Sequence, residues 1–363
     1  MKVFLVAGAR PNFMKIAPVY REAMKHDEVE CKIVHTGQHY DYEMSEAFFK
    51  DLEIPKPDFF LNAGSGSHAV QTAKVMVAFE ELCEKERPDV VIVVGDVNST
   101  LACSVVAKKS LIKVAHVEAG LRSFDLTMPE EINRMVTDCL SDYFFVTEES
   151  GRENLVKEGK EKESIHFVGH VMIDNLLYQA KRLDEKTMKG FSTYKLKKEK
   201  DGYAFLTLHR PSNVDTREAF SEIAGALNAI AEERPIFFPV HPRTEKMMKQ
   251  FELKLSEKIV LLSPLGFKES LFLWKDAAVV LTDSGGLQEE TTALAVPCVT
   301  LRENTERPIT IETGSNVLGG TKKDSIVNAY REAMARDRKT YAVPPRWDGR
   351  ASERIWKVLL DGD

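Results

Sequence analysis

The chain lacks most of the features that would advertise a role. No apolar run approaches the ~18–20 residues that span a bilayer, so a membrane partner is not expected. The opening stretch Met1-Lys2-Val3-Phe4-Leu5-Val6-Ala7-Gly8 is too short for the core of a signal peptide, and Arg10 follows at once; it reads as the first strand of a cytoplasmic protein. Cysteine is scarce: Cys31, Cys83, Cys103, Cys139 and Cys298 are scattered, with no CxxC pair, and read as buried reduced thiols rather than a disulfide framework or metal site. HExxH, GxGxxG and GxxxxGK(S/T) are absent, which argues against zinc hydrolase, nicotinamide-dependent and P-loop chemistry; no metal is expected. Fifty basic against fifty-six acidic residues give a net charge of −6, and no basic segment is dense enough to track a phosphate backbone, so nucleic acid is not expected as a partner.

What is present is a repeating alternation. In 363 residues, 43% hydrophobic and 29% charged, two folded units are expected rather than one. Short β-branched runs end in glycine or polar turns and lead into amphipathic helices, the pattern of parallel sheets covered on both faces. The runs are 3–7, 31–35, 90–94, 114–117 and 143–146 in the first half, and 203–208, 236–240, 259–262, 278–281 and 298–301 in the second. Helical spacing between runs shows at Phe220, Ile223, Ala224, Leu227 and Ile230. The expected fold is α/β: two doubly wound Rossmann-like domains whose parallel sheets face a central cleft where ligands bind. Residues 1–170 are assigned to the first domain and 171–350 to the second, with a final helix in 351–363 packing back on the first. The lysine-rich segment 181–201 reads as a solvated surface stretch.

Three carboxylates are read as following strands of the first half: Asp96 in Gly95-Asp96-Val97-Asn98-Ser99-Thr100, Glu118 in His116-Val117-Glu118-Ala119-Gly120-Leu121-Arg122, and Glu130 in Pro129-Glu130-Glu131-Ile132-Asn133-Arg134. An acid directly after a buried parallel strand sits at a cleft mouth, where neighbouring carboxylates push their pKa values apart and divide acid and base roles. Helix capping competes for each, above all for Asp96 ahead of Ser99-Thr100. Arg10 and Lys15 occupy the turn after the first run, with Pro11 at a helix start, suited to anion or sugar contacts. In the second half, His209-Arg210 and His241-Pro242-Arg243 end adjacent runs, as site groups or as structural histidines. Asp283-Ser284-Gly285-Gly286 precedes a helix expected over 287–294. Its glycines let a phosphate approach the backbone, Ser284 offers a hydroxyl, and free amides at the helix start favour an anion; a plain turn capped by Ser284 is the alternative. Glu290, one turn further in, is placed to accept from ribose hydroxyls, unless it is simply solvated.

Taken in order along the chain, these motifs resemble the non-hydrolysing UDP-N-acetylglucosamine 2-epimerases. The resemblance rests on Gly8-Ala9-Arg10-Pro11 with Lys15, His35-Thr36-Gly37-Gln38-His39, Gly95-Asp96, Val117 to Arg122, Pro129 to Arg134, Thr207-Leu208-His209-Arg210, Asp283 to Glu290 and Glu306-Arg307-Pro308, and it covers nearly the whole chain. It implies the GT-B fold, a homodimer, and interconversion of UDP-GlcNAc and UDP-ManNAc without a cofactor. It also implies site roles: Asp96, Glu118 and Glu130 around the sugar, with no assignment of which takes the C2 proton; Lys15, Arg134 and His209 on sugar or phosphate, His209 stabilising the departing UDP. Ser284, Gly285 and Gly286 would hold the pyrophosphate, Glu290 the ribose, and Arg10 the nucleotide side, with Gln38, His241 and Arg307 as further substrate contacts. Phe267, in Pro264-Leu265-Gly266-Phe267, is read as a uracil contact or else a core aromatic.

The family's chemistry eliminates UDP across C1 and C2 to a 2-acetamidoglucal and re-adds it with a proton on the opposite face of C2. Two departures from the family's pattern stand out. Many bacterial members carry Gln-His-Arg-Glu in the first-domain loop and His-Arg-Arg-Glu-Asn in the second, which help form an allosteric site for a second UDP-GlcNAc. Here the loops read Gln38-His39-Tyr40-Asp41 and His209-Arg210-Pro211-Ser212-Asn213, without the extra arginines. Regulation by substrate is therefore expected to be weakened or absent, or the sugar to carry other substituents, as in epimerases of 2,3-diacetamido uronic acid nucleotides. A hydrolysing relative, a GT-B glycosyltransferase and a nucleotide-sugar sensor without turnover are the remaining alternatives; three retained carboxylates argue against the sensor.

Overall fold

The computed structural model describes residues 1–37, 49 and 52–361, with only the backbone at Arg10. Gln38 and the following His39-Tyr40-Asp41 lie outside the described residues. The chain forms two compact units, Met1–Leu177 with Pro345–Asp363, and Tyr178–Pro344.

The first unit is a seven-stranded, wholly parallel sheet in the order β3-β2-β1-β4-β5-β6-β7. Its strands are β1 (Lys2–Ala7), β2 (Glu30–His35), β3 (Phe59–Phe60), β4 (Val90–Val94), β5 (Lys113–Val117), β6 (Tyr143–Val146) and β7 (Ile165–Phe167). Helices cover both faces, so central strands need apolar side chains on both sides, and Val90 to Val94 are all buried. On one face Leu5, Ile33, Ile92 and Val94 share a core with Trp356 of the last helix, Ala351–Asp361; the opposite face packs Phe4, Val91 and Val93 on Phe79 of the helix His68–Glu86.

The second unit repeats the plan with six parallel strands in the order β10-β9-β8-β11-β12-β13. They are β8 (Ala204–Thr207), β9 (Ile236–Pro239), β10 (Ile259–Leu262), β11 (Val279–Thr282), β12 (Cys298–Thr300) and β13 (Asn316–Leu318). Helix Arg217–Glu233 buries Phe220, Ile223, Leu227 and Ile230 against this sheet, as their spacing requires.

The chain leaves the first unit later than Gly169-His170. Helix Val171–Lys181 begins there, and Asp174 accepts hydrogen bonds from the Ala351 and Ser352 amides at 3.0 and 2.7 Å, which fastens the start of the last helix. Trp356 donates its indole N–H to the Val19 carbonyl at 2.8 Å, in helix Arg10–Ala23. The segment 181–201 is not simply solvated. It holds two short helices, Glu185–Lys189 and Tyr194–Glu199; Lys197 lies 3.9 Å from the Phe272 ring centre, and buried Thr193 donates to Glu269. Four cysteines are buried, but Cys139 is exposed because it lies on the outer side of helix Pro129–Leu140. That helix is inverted: Glu131, Asn133, Arg134, Thr137 and Asp138 point inward while Ile132, Met135 and Val136 are exposed. No helix among the described residues is long and apolar enough to cross a membrane.

Candidate active site

In each unit the strand order reverses at one place, between β1 and β4 in the first and between β8 and β11 in the second. Outside the carboxyl ends of such neighbouring strands the loops diverge, leaving a crevice for a ligand. Lys15 and Asp96 follow the first of these strand pairs, and His209, Arg210 and Asp283 the second.

In the first unit, Lys15 comes from the helix after β1 and Glu118 from the end of β5. Their Nζ and Oε2 atoms lie 2.5 Å apart, with side chains 12% and 4% exposed. Glu118 has φ +69°, a left-handed conformation that a non-glycine residue holds only when its surroundings over-determine it. The peptides on either side are fixed: the Glu118 and Ala119 amides both donate to the Phe145 carbonyl, at 3.0 and 3.2 Å. Gly95, after β4, completes the niche. It has φ +67°, and a Cβ there would sit 2.9 Å from Lys15 Nζ and 3.8 Å from Glu118 Oε2, so only glycine leaves the ion pair its room. The second carboxylate oxygen, Oε1, is buried without a hydrogen-bond partner among the described residues.

Asp96 is not a helix cap. Helix Asn98–Lys109 starts after Val97 without a side-chain cap, while Asp96 pairs with Arg134 through Oδ2 and Nη2. Arg134 also meets Glu131 Oε2 at 2.8 Å. Asn133 donates to the Asp96 carbonyl at 2.9 Å, holding this loop from the same helix. Glu130 does not follow a strand: it is the second residue of helix Pro129–Leu140, and it is exposed, whereas its neighbour Glu131 is 1% exposed and accepts from the Ser123 and Phe124 amides. On β5 itself, wholly buried His116 lies 2.7 Å from Asp138, and its other nitrogen is 2.8 Å from the Gly95 carbonyl. Asp138 accepts from the Gly120 amide and meets Arg122 at 2.7 Å. Burial favours the neutral acid at Asp138, but His116 and Arg122 outweigh it and hold the carboxyl below its ordinary value.

In the second unit Asp283, at the end of β11, is the organising group. Its Oδ2 accepts from the His209 and Arg210 amides at 2.9 and 2.7 Å, and its Oδ1 lies 2.9 Å from His209 Nδ1. Burial pushes this carboxyl up, yet the His209 contacts and the backbone amides prevail and depress it. His209 is thereby held in one orientation while its side chain stays 44% exposed. The His241 ring centre lies 5.9 Å away; His241 also starts helix Pro242–Gln250, its Nδ1 accepting from the Arg243 amide, and burial with the neighbouring His209 and Arg243 lowers its affinity for a proton.

The glycine turn is shorter than its sequence implies. Gly285 and Gly286 are the first two residues of helix Gly285–Ala293, and Ser284 precedes them without a side-chain capping bond. A Cβ on Gly285 would meet nothing within 4 Å. The first amides of a helix have no intrahelical partners, and with the helix dipole they suit an anion. Glu290 is buried, not solvated; burial and adjacent Glu289 raise its carboxyl to about 8. Glu289 is matched by Arg307, whose Nε lies 2.5 Å from Oε1. Phe267 is half-buried at the start of helix Phe267–Trp274, beyond β10. Gln38 and the Arg10 side chain lie outside the described structure. Sequence reasoning passed over Glu131, Asn133 and Asp138; the only signal was their polar spacing on a helix whose apolar residues face out.

Two Rossmann-like parallel sheets, one with buried carboxylates paired to cations and the other with a helix start open to an anion, define an α/β enzyme of the GT-B class. Comparison with known proteins narrows this. The family model described as UDP-N-acetylglucosamine 2-epimerase matches residues 21–360. The UDP-N-acetylglucosamine 2-epimerase of Methanocaldococcus jannaschii is 43% identical, covering 100% of both chains. The UDP-2,3-diacetamido-2,3-dideoxy-D-glucuronate 2-epimerase of Pseudomonas aeruginosa is 38% identical over 99% of each. A solved structure of M. jannaschii UDP-GlcNAc 2-epimerase in complex with UDP-GlcNAc and UDP superimposes with a TM-score of 0.88 at 42% identity over 100% of both chains. The chain belongs to the UDP-N-acetylglucosamine 2-epimerase family, whose members are isomerases acting on carbohydrates.

Proposed function

We propose that the protein is a non-hydrolysing epimerase that inverts C2 of UDP-N-acetylglucosamine to give UDP-N-acetylmannosamine. The observation that carries this reading is the buried Lys15–Glu118 pair, with one carboxylate oxygen left unpartnered among the described residues, beside the Asp96–Arg134 pair. C2 of the sugar is not next to a carbonyl, so its proton is too weakly acidic for direct abstraction and return. In the proposed reaction the C2–H proton passes to an enzyme base as the C1–O bond breaks, and the electron pair leaves with UDP. A C1=C2 double bond, that of the 2-acetamidoglucal, remains. UDP oxygen then re-forms the bond to C1 while an acid delivers a proton to the opposite face of C2. Carboxylates held near cations are suited to the proton transfers, and an anion grip to the diphosphate that leaves and returns. Lys15, Arg134 and His209 supply cationic or hydrogen-bonding groups; Ser284, Gly285 and Gly286 supply the helix start for the pyrophosphate; and Glu290, kept neutral by burial, can donate as well as accept at a ribose. Arg10, Gln38, His241, Phe267 and Arg307 complete the proposed substrate contacts, and exposed Glu130 remains in the proposed set around the sugar.

The protein is proposed to act in the cytoplasm as a homodimer; exposed Ile132, Met135 and Val136 offer apolar surface of the kind that association buries. The second reading, a 2-epimerase of a 2,3-diacetamido uronic acid nucleotide, is favoured by the 38% identical relative of that name and by the missing loop arginines. Incubation with UDP-GlcNAc in deuterated water separates the readings. Deuterium at C2 in a mixture of two UDP-sugars supports the proposal, free sugar with UDP would make the protein hydrolysing, and no exchange with UDP-GlcNAc but exchange with the diacetamido uronate would move it to the second reading.

A further inference from the structure

The acid–base carboxylates sit on loops tied together from behind by groups that no substrate reaches. His116 is wholly buried, and its ring nitrogens meet the Gly95 carbonyl at 2.8 Å and Asp138 Oδ1 at 2.7 Å. A carbonyl and a carboxylate only accept, so both ring nitrogens must donate for both contacts to be hydrogen bonds. Asp138 Oδ2 in turn accepts from the Gly120 amide at 3.0 Å and meets Arg122 at 2.7 Å, and Arg122 closes on Glu158 through two contacts of 2.8 and 2.7 Å. The pair thus bridges the residue before Asp96 and the residue two after Glu118. It grips Gly95 at φ +67° and Gly120 at φ +77°, either side of Glu118 at φ +69°, where a Cβ on Gly120 would strike the Gly151 carbonyl at 2.2 Å.

We infer that His116 and Asp138 are positioning residues for the reaction, a buried pair that holds the loops of Asp96 and Glu118 in register so that the Glu118 carboxylate meets Lys15. The inference rests on the epimerase reading for its kinetics, but not for its geometry. Asn at position 138 keeps the shape and one acceptor oxygen, yet cannot serve the His116, Gly120 and Arg122 donors together. The Glu118 loop would then lose its anchor.

The test uses the full chain, UDP-GlcNAc as substrate, UDP as a binding probe, and NMR of protein labelled with 15N-histidine. In Asp138→Asn, kcat should fall by about 30–100-fold, as for a catalytic group displaced by about an ångström. KM and UDP affinity should stay within about threefold. Adding Asp138→Asn to Glu118→Gln should cost no more than about threefold beyond Glu118→Gln alone, because a residue acting through another is not additive with it. The parent should show two ring N–H signals for His116, one for each acceptor. A kcat within about threefold of the parent, multiplicative losses in the double variant, or a single ring N–H in the parent would each overturn the inference. If Asp138→Asn does not fold, His116→Gln, which keeps the bond to the Gly95 carbonyl and drops the one to Asp138, is read by the same kinetic and double-variant criteria. A parent that neither turns over UDP-GlcNAc nor exchanges its C2 proton defeats the functional reading, while the ring-proton count in the same sample still decides the pair.

Discussion

Replacing Gly95 by alanine probes the first-unit site with the smallest possible change. The added methyl acts in two ways of different size. Forcing a non-glycine residue to φ +67° costs about 1–2 kcal/mol. The contact at 2.9 Å is with the far end of a flexible lysine, so relieving it adds little to that cost. The same contact matters far more for chemistry, because Lys15 Nζ has to retreat from a carboxylate oxygen 2.5 Å away. Gly95→Ala is therefore expected to lower the melting temperature by only a few degrees, at ~2–4 °C per kcal/mol for a unit of this size. Turnover of UDP-GlcNAc, followed by deuterium entry at C2, should fall by about 10–100-fold, since misplacing a catalytic group by about an ångström costs that much. In a Lys15→Met background, where no ammonium remains to be displaced, the same glycine substitution should change the residual rate by less than about threefold. Equal losses in both backgrounds, or a parent-like rate in Gly95→Ala, would refute the displacement argument.

Glu118→Gln should cut turnover at least ~100-fold, as expected for lost acid–base function, while UDP affinity measured by calorimetry stays within about an order of magnitude; unchanged turnover refutes the assignment. Glu290, raised to about 8 in the folded chain, takes up a proton on folding between its ordinary value and about 8. Stability therefore falls as pH rises through that window, and Glu290→Gln should flatten this part of a melting-temperature profile; parallel profiles would count against it. Asp174→Ala strips the buried Ala351 and Ser352 amides of their acceptor, a loss of about 1–2 kcal/mol, read as faster hydrogen exchange in the last helix relative to the sheet. With the loop arginines missing, trace UDP-GlcNAc should not accelerate the steady-state reaction of UDP-ManNAc; strong activation would restore the regulatory site.

Ten of the thirteen strands among the described residues stand out as apolar runs, most of them because a strand covered on both faces must be apolar throughout. The three that do not are β3, β7 and β13, of two or three residues at the sheet edges, too short to show a pattern. Asp96, Glu118, His209 and Ser284 were legible for the related reason that polar residues directly after buried runs are conspicuous. Glu130 was not, because it follows no strand: it is the second residue of helix Pro129–Leu140, which turns its polar face inward and buries Glu131 rather than Glu130.

The sequence by itself determined the alternation of buried strands and amphipathic helices, the glycines that leave room at strand ends, and the supply of acids, cations and a glycine-led helix start. Those are properties of single elements, written in local spacing and residue type. Only the tertiary structure decided that β1 lies beside β4 and β8 beside β11, that Lys15 reaches Glu118 across 103 residues of chain, and that His116 and Asp138 fasten Gly95 and Gly120 from behind. Such pairings depend on strand order and on which side of an element is buried against its neighbours, and these come from contacts between distant segments that no local pattern records.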